Sequence, residues 1–321
     1  MVASPPPSTT SSTSTSTSLS HWDLLPEEVL ERILQLLPVA SLLQALPVCH
    51  RWRRVAEWPR LWAGLKLRVK AGNLSYMPEV LRLPRLQQLR SLRVTAASEQ
   101  LFEALREQRG LRELDARYCD LSIISADLLA EAVSRVDTVV MFTAHIRPAQ
   151  AEAVFQAARQ PESRLRRLHL GDNWLQGEQW QLRPAVSPSL LAVAACGLER
   201  LEMASTGLGE EQVRVLFMEL ARGQARLRYL DLKYNSLAGV EPEVVARAVN
   251  SLQTAILRGC SLTREQVTSI LEQVEEGSGL QELDIAGNRE TRDVAAEVLD
   301  RARSRIRRLK LSSEGLPLVG H

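Results

Sequence analysis

One pattern constrains this chain more than any other. A stretch of the form L-x-x-L-x-L-x-x-N/C-x-L recurs along most of its 321 residues. It is clearest at Leu165, Leu168, Leu170, Asn173 and Leu175, and again at Leu227, Leu230, Leu232, Asn235 and Leu237. Further copies begin at Leu111, Leu198, Leu252 and Leu280, and weaker ones at Trp62, Leu89, Val136 and Ile306. First positions lie 22 to 33 residues apart, a period that belongs to solenoids. The L-x-L pair alternates in and out, so each coil opens as a short strand with its leucines inward. The Asn, Cys or Thr three residues after the last leucine suits a chain turning off that strand, its side chain bonding nearby backbone.

Helical patterns follow the strands, at 99–108, 126–136, 148–159, 210–222, 242–249, 264–275 and 292–303. Several open with helix-starting chemistry: Thr263 with Gln266 three residues on, Ser125 ahead of Ala126, and Pro148 or Pro242 in the first turn. The expected fold class is therefore α/β, with about ten coils over 63–312 forming a curved solenoid, parallel strands on its concave face and helices outside. This region resembles the leucine-rich repeat family, in its ribonuclease-inhibitor-like type with a full helix per coil. Two departures stand out. The coil at Val136, Val139 and Met141 has Ala144 where Asn or Cys belongs, and the coil from Leu165 to Leu198 carries an insertion around 177–188 with Trp180 in it.

Ahead of the repeat, residues 25–62 read LPEEVLERILQLLPVASLLQALPVCHRWRRVAEWPRLW. They divide at Pro38 and before Pro59 into three helical pieces, 27–37, 40–46 and 48–56. In the first piece Val29, Leu30, Ile33, Leu34, Leu36 and Leu37 cover an arc of about 160°, against about 100° for a helix packed on one neighbour. So short a segment cannot bury a core sufficient to stabilise itself. Part of that arc is expected to pack on the segment's own bundle and part to meet another chain.

The order Leu25-Pro26-x-Glu28-Val29-Leu30, Ile33-Leu34, Leu37, Leu42-Leu43, Val48-Cys49-x-x-Trp52-Arg53 and Pro59-x-Leu61-Trp62 closely resembles the F-box, placed at 21–62. That resemblance implies docking on a Skp-type adaptor, and through it on a cullin and a RING-bearing subunit. It assigns adaptor contacts to Leu25, Pro26, Val29, Leu30, Ile33, Leu34, Leu42, Leu43 and Val48, with Cys49 and Trp52 partly internal.

Composition removes other classes. Net charge is +2, so no global field points to nucleic acid or a membrane surface. No apolar run approaches the roughly 18 residues of a membrane helix. Residues 1–20, MVASPPPSTTSSTSTSTSLS, lack the basic start and apolar core of a secretory signal and read as a disordered tail; residues 313–321 read as a second tail. Cys49, Cys119, Cys196 and Cys260 form no C-x-x-C pair, which fits reduced thiols in a cytoplasmic or nuclear protein that is not secreted. Four scattered cysteines cannot build a RING of this chain's own. The five histidines have no metal-ligand spacing, and no Walker loop, G-x-S-x-G or G-x-G-x-x-G occurs. The expectation is a chain with no cofactor, no metal and no catalysis.

Function then lies in holding other proteins. Strand alternation sends the residues flanking the inward leucines to the concave surface. The client-binding candidates there are Asp115, Arg117, Tyr118, Phe142, His169, Asp172, Tyr229, Asp231, Lys233 and Tyr234, with Arg93, Arg258 and Asp284 beside them. Aromatic and Arg anchors dominate protein interfaces, which singles out Tyr118, Phe142, Tyr229 and Tyr234. The leading expectation is the substrate-recognition subunit of a Skp–cullin–F-box ubiquitin ligase that directs a client protein to proteasomal degradation. The alternative is a non-degradative repeat scaffold or regulator, which keeps the solenoid and needs no exposed leucines in front of it.

Overall fold

The computed structural model describes residues 25–175, 185–274, 279–289 and 294–311. The expected tails, Trp180 and the start of the helix expected at 292–303 lie outside them. The chain divides into two compact units, Met1–Leu61 and Trp62–His321.

In the first unit the pieces read from sequence are α1 (Glu27–Gln35), α2 (Val39–Ala45) and α3 (His50–Ala56). A short α4 (Pro59–Ala63) follows where the prolines left only an interruption. Pro26 and Pro38, both extended, stand immediately before α1 and α2, and the Cys49 thiol caps α3 by accepting the Trp52 amide at 3.5 Å. Helices α1 and α2 both pack on α3. Glu31, buried on α1, forms an ion pair with Arg60 and accepts a hydrogen bond from Gln35.

The second unit is a repeat of strand, turn and helix. Its strands are β1 (Lys66–Val69), β2 (Ser91–Val94), β3 (Glu113–Asp115), β4 (Thr138–Val140), β5 (Arg167–His169), β6 (Arg200–Glu202), β7 (Tyr229–Asp231), β8 (Thr254–Ile256), β9 (Glu282–Asp284) and β10 (Arg308–Lys310). They form one parallel sheet in sequence order. The middle residue of each strand faces its counterpart in the next, so Leu92, Leu114, Val139, Leu168, Leu201, Leu230, Ala255 and Leu283 make one buried column. Each leucine or valine in it contributes roughly 1.5–3 kcal/mol on burial.

The helices are α5 (Met77–Leu81), α6 (Glu99–Arg106), α7 (Ala126–Ser134), α8 (Pro148–Ala158), α9 (Pro188–Gly197), α10 (Glu210–Leu220), α11 (Pro242–Asn250), α12 (Arg264–Glu272) and α13 (Ala296–Arg305). Six of them fall where the pattern places them, with ends that differ by one to three residues. Periodicity missed α9, because PSLLAVAACG has no charged residue to mark an outer face. Thr263 and Gln266 form the expected reciprocal cap of α12 at 3.2 and 2.9 Å. Ser125 makes no side-chain cap on α7.

Side-chain amides fasten one coil to the last. Asn173 accepts the amides of Ala144 and Ile146 at 3.1 and 2.9 Å and donates to the carbonyls of Met141 and Leu170 at 2.7 and 2.8 Å. Ala144 can therefore be apolar: the backbone of its turn is satisfied from the following coil. Asn235 and Asn288 repeat the device, accepting from Leu208 and Leu262 at 3.0 Å each. Glutamines do the same at the third residue of three helices. Gln150 and Gln266 each donate to two carbonyls of the coil before, and Gln212 to the carbonyl of Val186. Each of these groups is buried, where an unmatched amide or carbonyl costs about 1–3 kcal/mol.

Candidate functional site

The α1 arc is divided by angle. Counting 100° per residue from Val29, Leu36 and Val29 sit at one end, Ile33 and Leu37 in the middle, and Leu30 and Leu34 at the other. Exposure falls in the same order. Leu36 is 85% exposed and Val29 40%, Ile33 and Leu37 are half-buried, and Leu30 and Leu34 are fully buried. Leu36 and Val29 are seven residues apart, two turns along one face. Val48, just ahead of α3, is 60% exposed.

Of the nine residues assigned to an adaptor, Pro26, Val29 and Val48 are on the surface, and Leu25, Ile33 and Leu43 are half-buried. Leu30, Leu34 and Leu42 are fully buried. On α1 the first two lie toward the buried Glu31 edge of the helix, so they are packing residues in this conformation. Leu36 was not among the nine and is the most exposed large apolar side chain of this unit's described residues. The width of the arc was the signal for it.

On the second unit several charged residues of the strand face are matched with one another. Arg117 and Arg93 reach Asp115 at 2.9 and 3.5 Å, and Arg200 reaches Glu202 at 2.6 Å. Lys233 reaches Asp231 at 2.9 Å and Arg258 reaches Asp284 at 3.5 Å, while Lys310 lies 3.1 Å from Glu282. Asp115, Asp231 and Asp284 also finish their strands: each Oδ1 accepts the amide two residues on, at 3.2, 3.0 and 3.1 Å. Asp231 and Asp284 are nearly buried despite their place on the outward side. Asp115 and Asp231, client-contact candidates by strand alternation, thus have work within the fold.

Tyr229 is covered as well. The Arg200 guanidinium lies 3.4 Å from its ring centroid, and burial pushes the phenol up to about 12. His169 sits 3.5 Å from Glu202, and burial pulls its imidazole below the ordinary histidine range against the attraction of Glu202 and Asp231.

The open rings stand where the strands end. Tyr118 and Tyr234 are 64% and 61% exposed, and Trp174, which strand alternation does not mark, is 59% exposed. Tyr118 meets Phe142 edge-on at 5.6 Å, and Phe142 tilts against His169 at 5.2 Å. Glycines make room for these rings. A β-carbon on Gly171 would come within 3.2 Å of both Phe142 and His169, and one on Gly207 within 2.9 Å of Trp174. Asp172, exposed, occupies the equivalent turn of its own coil at φ 53°.

Buried thiols have little chemistry to offer. Burial raises Cys119 and Cys260 to about 12 and Cys196 to about 11, leaving them as inert thiols at neutral pH. Cys49 is occupied as the α3 cap. Among the described residues no group of three or more His, Cys, Asp or Glu side chains could hold a metal ion, and no helix is long and apolar enough to cross a membrane.

A protein-family model described as F-box-like matches residues 22–68. The chain thus carries an F-box-like domain followed by a repeat-type α/β region of ten parallel strands, as a leucine-rich repeat solenoid has. Domains of this kind typically bind Skp-type adaptors and belong to proteins that are themselves non-catalytic. No curated protein sequence matches the chain.

Proposed function

From an F-box-like domain joined to a ten-strand repeat, we propose that this protein is the substrate-recognition subunit of a Skp–cullin–F-box ubiquitin ligase. The F-box-like unit holds the adaptor, and the strand side of the repeat holds a client protein. The complex works in the cytoplasm, the nucleus or both. The chain contributes no bond-making step. It raises the effective concentration of client lysines beside the charged ubiquitin-conjugating enzyme, and positioning of that kind supplies the rate.

One observation carries this reading: the edge of α1 at Val29 and Leu36, and Val48 just ahead of α3, leave branched aliphatic side chains in water. Single exposed leucines are ordinary, but Val29 and Leu36 exposed two turns apart along one edge of a helix, with half-buried Ile33 beside them, fit an interaction site. The test is co-expression with a Skp-type adaptor and recovery of the pair through a tag on this chain. Val29→Glu with Leu36→Glu should cut adaptor recovery at least tenfold while the repeat unit stays folded. Full recovery with the double variant would favour a repeat scaffold that has no part in ubiquitin transfer.

A further inference from the structure

In every coil from β3 to β9 the residue ahead of the Asn, Cys, Thr or Ala of the turn has a positive φ. Thr143, Asp172, Ser205, Gly259 and Gly287 are five of these positions. The other two are tyrosines: Tyr118 and Tyr234, each at φ 60°. Left-handed backbone favours Gly, Asn and Asp and penalises other side chains. A large ring there works against the local fold, twice.

The two sites are built alike. Asp115-Ala116-Arg117-Tyr118 and Asp231-Leu232-Lys233-Tyr234 share one scaffold. In each the Asp accepts the amide of the cationic residue and pairs with that residue's side chain at 2.9 Å. Each tyrosine amide donates to the next coil, Tyr118 to Phe142 at 2.9 Å and Tyr234 to Arg258 at 3.0 Å. Thr143, Asp172 and Ser205 continue the same ladder, so the two tyrosines hold one position four strand steps apart. At about 4.8 Å per step that is roughly 19 Å, the length of about six residues of extended chain.

The charges beside the rings decide what can lie across them. Arg117, Lys233 and Arg258 are held by Asp115, Asp231 and Asp284. A phosphate group would have to break one of these pairs before it met a cation, whereas phosphate readers present open Arg clusters. Flat exposed rings with neutralised neighbours fit apolar side chains. We propose that Tyr118 and Tyr234 are the end anchors of a docking ridge for an extended, unphosphorylated client segment of low net charge, with aliphatic, aromatic or proline side chains about six residues apart. This deepens the reading of the strand side as the client-binding side and depends on it.

The test uses the full chain and a synthetic library of random twelve-residue peptides, half of them carrying a fixed phosphoserine. Unphosphorylated peptides of low charge, with two apolar residues five to seven apart, should be enriched. Tyr118→Asn and Tyr234→Asn should each weaken the selected peptides at least tenfold, and the thermal midpoint should hold or rise because Asn suits the backbone better. Preference for the phosphoserine half, no enrichment, binding within twofold of the parent, or a fall in thermal midpoint would each overturn the proposal. Adaptor recovery is measured on the same variants and should not change. Its loss in the α1 variants would concern the ligase reading alone.

Discussion

The ring of Tyr234 covers Gly259 so closely that a β-carbon there would lie 2.8 Å from it. Gly259 also has φ +61°, so the position refuses a side chain for two independent reasons. Gly259→Ala should lower stability by about 1–2 kcal/mol and turn the Tyr234 ring away. Gly72 has nothing within 4 Å of a β-carbon and no positive φ, and Gly72→Ala should be close to neutral. Denaturant midpoints of the two variants give the comparison, and equal losses would count against the Tyr234 seat.

Asn173 stabilises two coils at once. Removing its amide with Asn173→Ala leaves two backbone amides and two carbonyls without their buried partner. A loss of roughly 3–5 kcal/mol is expected, read by chemical denaturation, with faster hydrogen exchange at Ala144 and Ile146. Asn173→Asp should not rescue it, since a carboxylate cannot donate to Met141 and Leu170.

Leu30 and Val29 are neighbours in sequence with opposite surroundings, one fully buried and one 40% exposed. Leu30→Asp should unfold the helical unit, seen as lost helical signal and rapid proteolysis within residues 25–61. Val29→Glu should leave both measurements as in the parent. Adaptor binding is therefore to be tested with surface variants, since a loss with Leu30→Asp would report unfolding.

His169 predicts a dependence on pH. Burial holds its folded pKa below the ordinary 6.5, with Glu202 and Asp231 opposing that shift and Arg117 and Arg200 adding to it. As pH falls through 6.5 the unfolded chain takes the proton first, so stability is lost on acidification from there. The thermal midpoint of His169→Asn should fall less than that of the parent between about pH 7 and pH 5. An identical slope would mean that other groups carry the acid sensitivity.

Thiol labelling tests the packing of the repeat. With Cys119 and Cys260 raised to about 12, only about one molecule in ten thousand is thiolate at pH 8. Both cysteines should resist iodoacetamide in the native protein and react fully once it is unfolded, as mass spectrometry of the peptides would record.

The fold was legible because a hydrophobic repeat states its own period: Leu168, Leu201 and Leu230 pair across the sheet as their spacing implies. The inter-coil role of Asn173 was half legible. Its spacing pointed to a turn, but its bonds to Ala144 and Ile146 join residues nearly thirty apart and leave no local trace. Helix α9 was invisible for lack of a polar face. On the candidate surfaces, side-chain alternation found Tyr118 and Tyr234 but could not tell them from Tyr229, which Arg200 covers. That difference depends on a neighbouring strand. For the same reason a helical wheel places Leu30 and Val29 in one arc without saying which end is wet.

Apart from the Asn250 amide, which reaches forward to the Ile270 carbonyl at 3.4 Å, the amide and thiol fasteners that tie one turn to another reach the same way along the chain. Asn173, Asn235 and Asn288, the glutamines at 150, 212 and 266, and the Cys260 thiol, which donates to Leu232 at 3.1 Å, all serve the coil that precedes them. The stack therefore has a direction in its mechanics. Trimming it from the carboxyl side strips the last surviving turn of its closures, while trimming from the amino side takes away mostly groups that were being served. Shortened forms of the repeat should tolerate losses at the two ends unequally, and should fray backward from the later coils.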